Sequence, residues 1–145
     1  MADEIRILDE FGELLKTYQV PEGRSGFAGV EWQGVELSGA QLAGANFSGA
    51  DLYWAIFFMA NLDGADFEGA QLQGADLKQA SCAGTSFRNA NLGRDNLGGS
   101  TELQGADLTD AILHGAILEG ALYDEATRFP HGFNPNARGM IAKGV

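Results

Sequence analysis

The sequence predicts an all-β solenoid, a four-sided coil stacked about five times, and three observations point to it. From Phe27 to Tyr123 the chain repeats every five residues, as in AQLAG-ANFSG-ADLYW and later ANLDG-ADFEG-AQLQG-ADLKQ. That period fits neither the 3.6 of an amphipathic helix nor the 2.0 of an ordinary strand. Each unit has a large apolar centre and, two places before it, a small residue that is Ala in most units. Finally, Phe27, Phe47, Phe67 and Phe87 recur as centres at a spacing of 20 residues. Four units per turn set these rings one above another, where they can offset-stack; three units per turn would scatter them.

The centres run every fifth residue from Phe27 through Trp32, Leu37 and Leu42 to Leu97. One residue is then inserted within Gly98-Gly99-Ser100, as a bulged corner, and the centres resume at Leu103 and end at Tyr123. In this register the phenylalanine column ends on Leu108, and Leu97 lies between Leu77 and Leu118. A backbone bent once per unit points the centre and the small residue inward and the other three outward. Ala is required because the lumen corners leave no room for more. The Gly that often follows the centre suits a turn that a β-carbon would hinder.

Solenoid ends expose unpaired backbone and an open core, so both need caps. Residues 3–17 predict an N-terminal α-helical cap: Ile7, Phe11, Leu14, Leu15 and Tyr18 fall at helical spacing. Asp3 and Glu4 at the start and Lys16 near the end match the helix dipole. Pro21-Glu22-Gly23 then ends it. At the other end the repeat fails at Arg128, and Phe129 and Phe133 are expected over the last coil. The division is 1–22, cap and linker; 23–127, repeat; 128–145, capping tail.

These units resemble the pentapeptide repeat family, whose unit is written A-(D/N)-L-X-X, over about two-thirds of the chain. ELLKTYQ and TRFPHGF-NP resemble cyanobacterial members in particular. The resemblance implies a right-handed quadrilateral β-helix with the centre and Ala positions inward. Some cyanobacterial members are tied to regulation of heterocyst differentiation. Other relatives bind DNA gyrase as DNA mimics and give quinolone resistance. Family membership does not choose among these roles.

Composition excludes several classes. The single cysteine, Cys82, allows no internal disulfide. MADEIRILDE lacks a secretory signal's basic start and apolar run. The longest apolar run, Tyr53 to Ala60, is too short to span a membrane. A cytoplasmic protein is expected. A net charge of −11 argues against direct binding to nucleic acid or anionic membrane. Either the acidic surface keeps the repeat soluble, or it imitates nucleic acid.

Little points to catalysis. His114 and His131 stand without partner motifs, as surface histidines do, and Cys82 fills a leucine slot. Asp51, Asp66, Asp76 and Asp107 precede centres, an outward structural slot. The recurrent G-x-x-x-x-G follows from the period and lacks the Lys-Ser/Thr of a phosphate loop. No catalytic residue, cofactor or metal is expected.

One coil departs from the pattern. Tyr53, Trp54, Ile56, Phe58 and Met59 occupy outward positions. Their counterparts are Gln33, Gly34, Glu36, Ser38 and Gly39 one coil earlier, and Gln73, Gly74, Asp76, Lys78 and Gln79 one coil later. An aromatic island in polar surroundings is how partner sites look. A milder group, Ile112, Ile117 and Leu122, marks the last coil. The resulting expectation is a non-enzymatic interaction or scaffolding module, regulatory in role, binding an unidentified protein through the island. A homodimer through the island or an end coil is open to it. The alternative is a DNA mimic that binds gyrase or another DNA-binding protein.

Overall fold

Five amides per unit need partners, and the unit 65–69 shows how the repeat supplies them. The Ala65 amide donates to the Leu62 carbonyl, closing a turn, and that of Asp66 donates to Ala45 in the coil before. The amides of Phe67 and Gly69 donate to Ser86 and Arg88 in the coil after. The fifth, on Glu68, donates to the Asp66 carboxylate at 2.9 Å. All five amides of the unit are thereby matched. The Asp or Asn before the centre is a turn cap. Asn46, Asn61, Asp76, Asn91 and Asp107 serve the same amide in their own units.

The computed structural model describes residues 3–144; Met1, Ala2 and Val145, which the expected cap and tail include, lie outside it. As far as Gln71–Asn91, parallel bridges join the residues before the centres to their equivalents 20 residues on, as in Glu31–Asp51–Gln71 and Asn46–Asp66–Ser86. The coils are therefore held by single bridges on four sides, and the longer strands form only two two-stranded sheets. Among the described residues no helix is long and apolar enough to cross a membrane.

The lumen is filled by the centres. Phe27, Phe47, Phe67 and Phe87 stack with centroids 4.7, 5.0 and 5.4 Å apart. Phe57, from another side, meets Phe47 and Phe67 edge-on. Where Thr85, Thr101 and Thr127 replace Ala, the buried hydroxyls donate to the carbonyls of Leu62, Leu72 and Leu103.

Two expectations are corrected. The α-helical cap is a β-hairpin: β1 (Glu4–Leu8) pairs antiparallel with β2 (Leu14–Gln19). Ile5 and Ile7 alternate with Glu4 and Arg6, a strand period, and Gly12 adopts the left-handed φ of +82° that the tip requires. A strand also answers the need of an open coil end, which is backbone pairing: the Gln41 amide donates to Leu8, and Asp9 bridges Ala40. Ile7 and Tyr18 turn onto the core, with Tyr18 edge-on to Trp32 at 5.1 Å.

The second correction concerns the insertion. Asp76 bridges Glu102, 26 residues on, so six residues rather than one are added. Residues 93–100 project as a loop, and Leu97 is its exposed apex rather than a centre. A regular unit there would have set Asp95 in a lumen corner. The columns therefore continue Phe87 to Leu113, Leu92 to Leu118, Leu77 to Leu103 and Cys82 to Leu108.

At the far end β3 (Leu122–Tyr123) pairs in parallel with β4 (Ile141–Ala142). Phe129 and Phe133 pack against the core, and Met140 is buried. The Arg138 guanidinium donates to the carbonyls of Leu113 and Ala116, which no further coil covers.

Candidate interaction surface

A unit's third amide from the small residue demands an acceptor, and its corner demands a left-handed φ. The unit 55–59 breaks both rules. Ile56 bridges Glu36 and Asp76 in its ladder, yet it offers no side-chain oxygen to the amide of Phe58. Met59 takes φ +58° and Trp54, at the preceding corner, φ +59°, where Gly is usual. A bulky side chain there costs on the order of 1–2 kcal/mol. Gln79, Asn89 and Asp110 also hold left-handed corners, all with polar side chains, and Asn and Asp tolerate that region; Gln79 carries the same strain as Met59.

The structure divides the five island residues between two corners of one side. Tyr53 and Trp54 stand at one, their rings 5.5 Å apart. The Tyr53 hydroxyl accepts from Gln73 at 2.8 Å. The Trp54 indole donates to the Asp95 carboxylate at 2.7 Å and lies over Gly74, where a β-carbon would strike it. Asp95 in turn accepts from the amides of Leu97 and Gly99. Those donors, the indole foremost, hold its carboxyl below the usual range. This corner is thus a clasp on the 93–100 loop.

Phe58 and Met59 stand at the other corner, facing the hairpin tip. Together with Asp9, Glu10, Phe11, Ser38 and Gly39 they line an open groove. Phe11 is 81% exposed and Met59 46%. Ile56 lies on the side between the two corners. Sequence reading missed Phe11, which it placed inside a helix; the signal was the alternation of Ile5 and Ile7 around a Gly-containing tip.

Beside this region Lys78 pairs with Asp76 at 3.1 Å and Glu102 at 2.9 Å. Its pKa is raised, chiefly by the bond to Glu102 and also by Asp76, against the pull of burial. Its charge is spoken for. Elsewhere, Cys82 is fully enclosed, and burial pushes its thiol far up, away from the reactive thiolate. Asp107 is held low, first by the Thr109 hydroxyl and then by the Thr109 amide, in keeping with its turn-capping role. Ile112 and Ile117 are exposed on the last coil, in the ladders of Ser86 and Asn91.

A family model described as pentapeptide repeats matches residues 27–57, 55–94 and 100–122 in eight copies. No curated protein matches the chain. Similar solved structures include a pentapeptide repeat protein from Nostoc, 34% identical over 78% of this chain and 84% of that one, TM-score 0.44. Another is a pentapeptide repeat protein of the Arabidopsis thaliana thylakoid lumen, 30% identical over 68% of each chain, TM-score 0.55. A third is HetL of Nostoc, involved in regulation of heterocyst differentiation, 33% identical over 72% of this chain and 50% of that one, TM-score 0.27.

Proposed function

The chain belongs to the pentapeptide repeat family, and from that premise we propose that it is a non-enzymatic interaction module of the cytoplasm, regulatory or scaffolding, coiled with its family's right hand. Its contact is the second-coil side at Ile56, Phe58 and Met59. The observation that carries this reading is the coincidence of three broken repeat rules there: two bulky left-handed corners, Trp54 and Met59, and one lost turn cap at Ile56. Left-handed corners held by apolar side chains occur nowhere else among the described residues, and local rules given up together are the mark of a functional site.

The other reading, an acidic mimic of DNA acting on gyrase or another DNA-binding protein, starts from the net charge of −11. Much of that charge has a local role, since Asp66, Asp76 and Asp107 cap turns of the coil. Phe58 and Met59 have no such explanation, and they favour the protein contact.

The test restores the repeat. Ile56→Asp, Phe58→Ser and Met59→Gly combined supply a cap, a polar neighbour and a corner glycine. The variant should melt no lower than the wild type, yet lose the partner captured from native lysate. A captured set that is unchanged would overturn the reading.

A further inference from the structure

Resting on that interaction reading, we propose that the groove between the hairpin tip and the Phe58–Met59 corner seats an extended, lysine- or arginine-bearing segment of the partner, which inserts one large apolar side chain. The groove has a volume of about 250 Å³ and is lined by Asp9, Glu10, Phe11, Ser38, Gly39, Phe58 and Met59. That is below the range of small-molecule sites, and it holds one side chain rather than the row of anchors that a helix lays into a groove. It suits one side chain between Phe11 and Met59, with Met able to shape itself to the guest.

The charge of the rim selects what flanks that side chain. Asp9 and Glu10 line the groove, and no lysine or arginine does. Glu13 follows the tip, and Glu36 caps the amide of Ser38 on the coil side. The neighbouring cation, Lys78, is neutralised by Asp76 and Glu102. Asp9 also accepts from the amides of Phe11 and Glu13 but keeps its charge, and an apolar slot edged by carboxylates, with no lysine or arginine in its lining, draws in a basic segment and repels an acidic one. Tyr53 and Trp54 take no part, because they stand at the other corner, Trp54 bonded to Asp95 of the loop and Tyr53 to Gln73.

The experiment titrates the full chain, by fluorescence anisotropy, into a labelled peptide with a central leucine flanked on each side by one serine and two lysines. Binding should weaken by about tenfold or more, the effect of one lost anchor, in Phe11→Ser and in Met59→Gly. It should also fall with salt and with Glu10→Lys, and persist in Leu97→Ser. Phe11 is exposed at a turn, so circular dichroism should show Phe11→Ser folded. Equal binding of the peptide with glutamates for lysines would overturn the proposal, as would indifference to Phe11→Ser. So would a dimer in light scattering that Phe11→Ser converts to monomer, for then a second copy fills the groove. Loss of captured partner in the repeat-restored variant, with no peptide binding to wild type, sinks the groove assignment alone. An unchanged captured set sinks both.

Discussion

The second and third coils lie one on the other and share a backbone scheme, yet two units of each treat their outward positions differently. In the third, Asp66 and Asp76 cap turns, and Gly69 and Gly74 sit in left-handed corners. In the second, Ile56 caps nothing, and Trp54 and Met59 occupy such corners. Inter-coil bonds nevertheless form in both: Phe57 to Asp76 at 2.7 Å, Phe67 to Ser86 at 2.8 Å, and even the Trp54 and Met59 corners to Gln73 and Lys78 at 3.1 and 3.0 Å. The repeat is thus a set of backbone requirements that a stack can violate locally, because each coil leans on its neighbours. Where it does so, side chains have been kept for something other than the stack.

The comparison breaks most severely in the core. Phe67→Ala removes a ring stacked between Phe47 and Phe87, and should cost about 3–5 kcal/mol in denaturant unfolding. Phe58→Ser, one coil earlier but outward, should change stability by less than about 0.5 kcal/mol. Comparable losses would mean that the island is packed structure.

Corners come next. A β-carbon on Gly69 would meet nothing within 4 Å, so Gly69→Ala tests φ alone and should lose about 1–2 kcal/mol. Met59→Gly should move the other way, by a smaller amount because glycine also frees the unfolded chain by roughly 0.5–1 kcal/mol. If Met59→Gly destabilises, the methionine is anchored in the fold and the strain argument fails.

The coil was legible in the sequence because its requirements recur: the Ala, Asp and Gly of one unit are read again in the next. The spacing of Phe27, Phe47, Phe67 and Phe87 announced the stacked rings. The singular parts were not legible. Leu97 stands five residues after Leu92 and mimics a centre, and only the pairing of Asp76 with Glu102 shows that it lies on a loop. Ile7, Phe11 and Leu14 satisfy a helical spacing while belonging to two strands and a tip. For the same reason the island looked continuous. Nothing local to Trp54 signals a bond to Asp95, 41 residues away.

Turn caps give a smaller difference. Asp66→Ala strands the amide of Glu68 and should cost about 1 kcal/mol. Ile56→Asp supplies the missing acceptor to Phe58 and should return a fraction of that. A loss on Ile56→Asp would show that the isoleucine packs against something the fold needs. The two coils would then differ less than their sequences suggest.

The weakest effect separates the two corners of the island. Asp95 is held below its ordinary value by the Trp54 indole and by the amides of Gly99 and Leu97. A carboxylate whose folded value is lowered keeps its contribution above the unfolded value, about 3.9, and loses it as pH falls through the folded one. In a Trp32→Phe background, emission from Trp54 should therefore hold steady from neutral pH to about 4. It should shift to the red only below that, with the far-ultraviolet spectrum of the coil still intact. Asp95→Asn should remove this acid transition and leave the melting temperature nearly unchanged, since the loop lies outside the stack. A transition near neutrality, or none in the parent, would detach the loop from Trp54. That corner would then rejoin Phe58 and Met59 as free contact surface, and the partner would have the whole second-coil side to read.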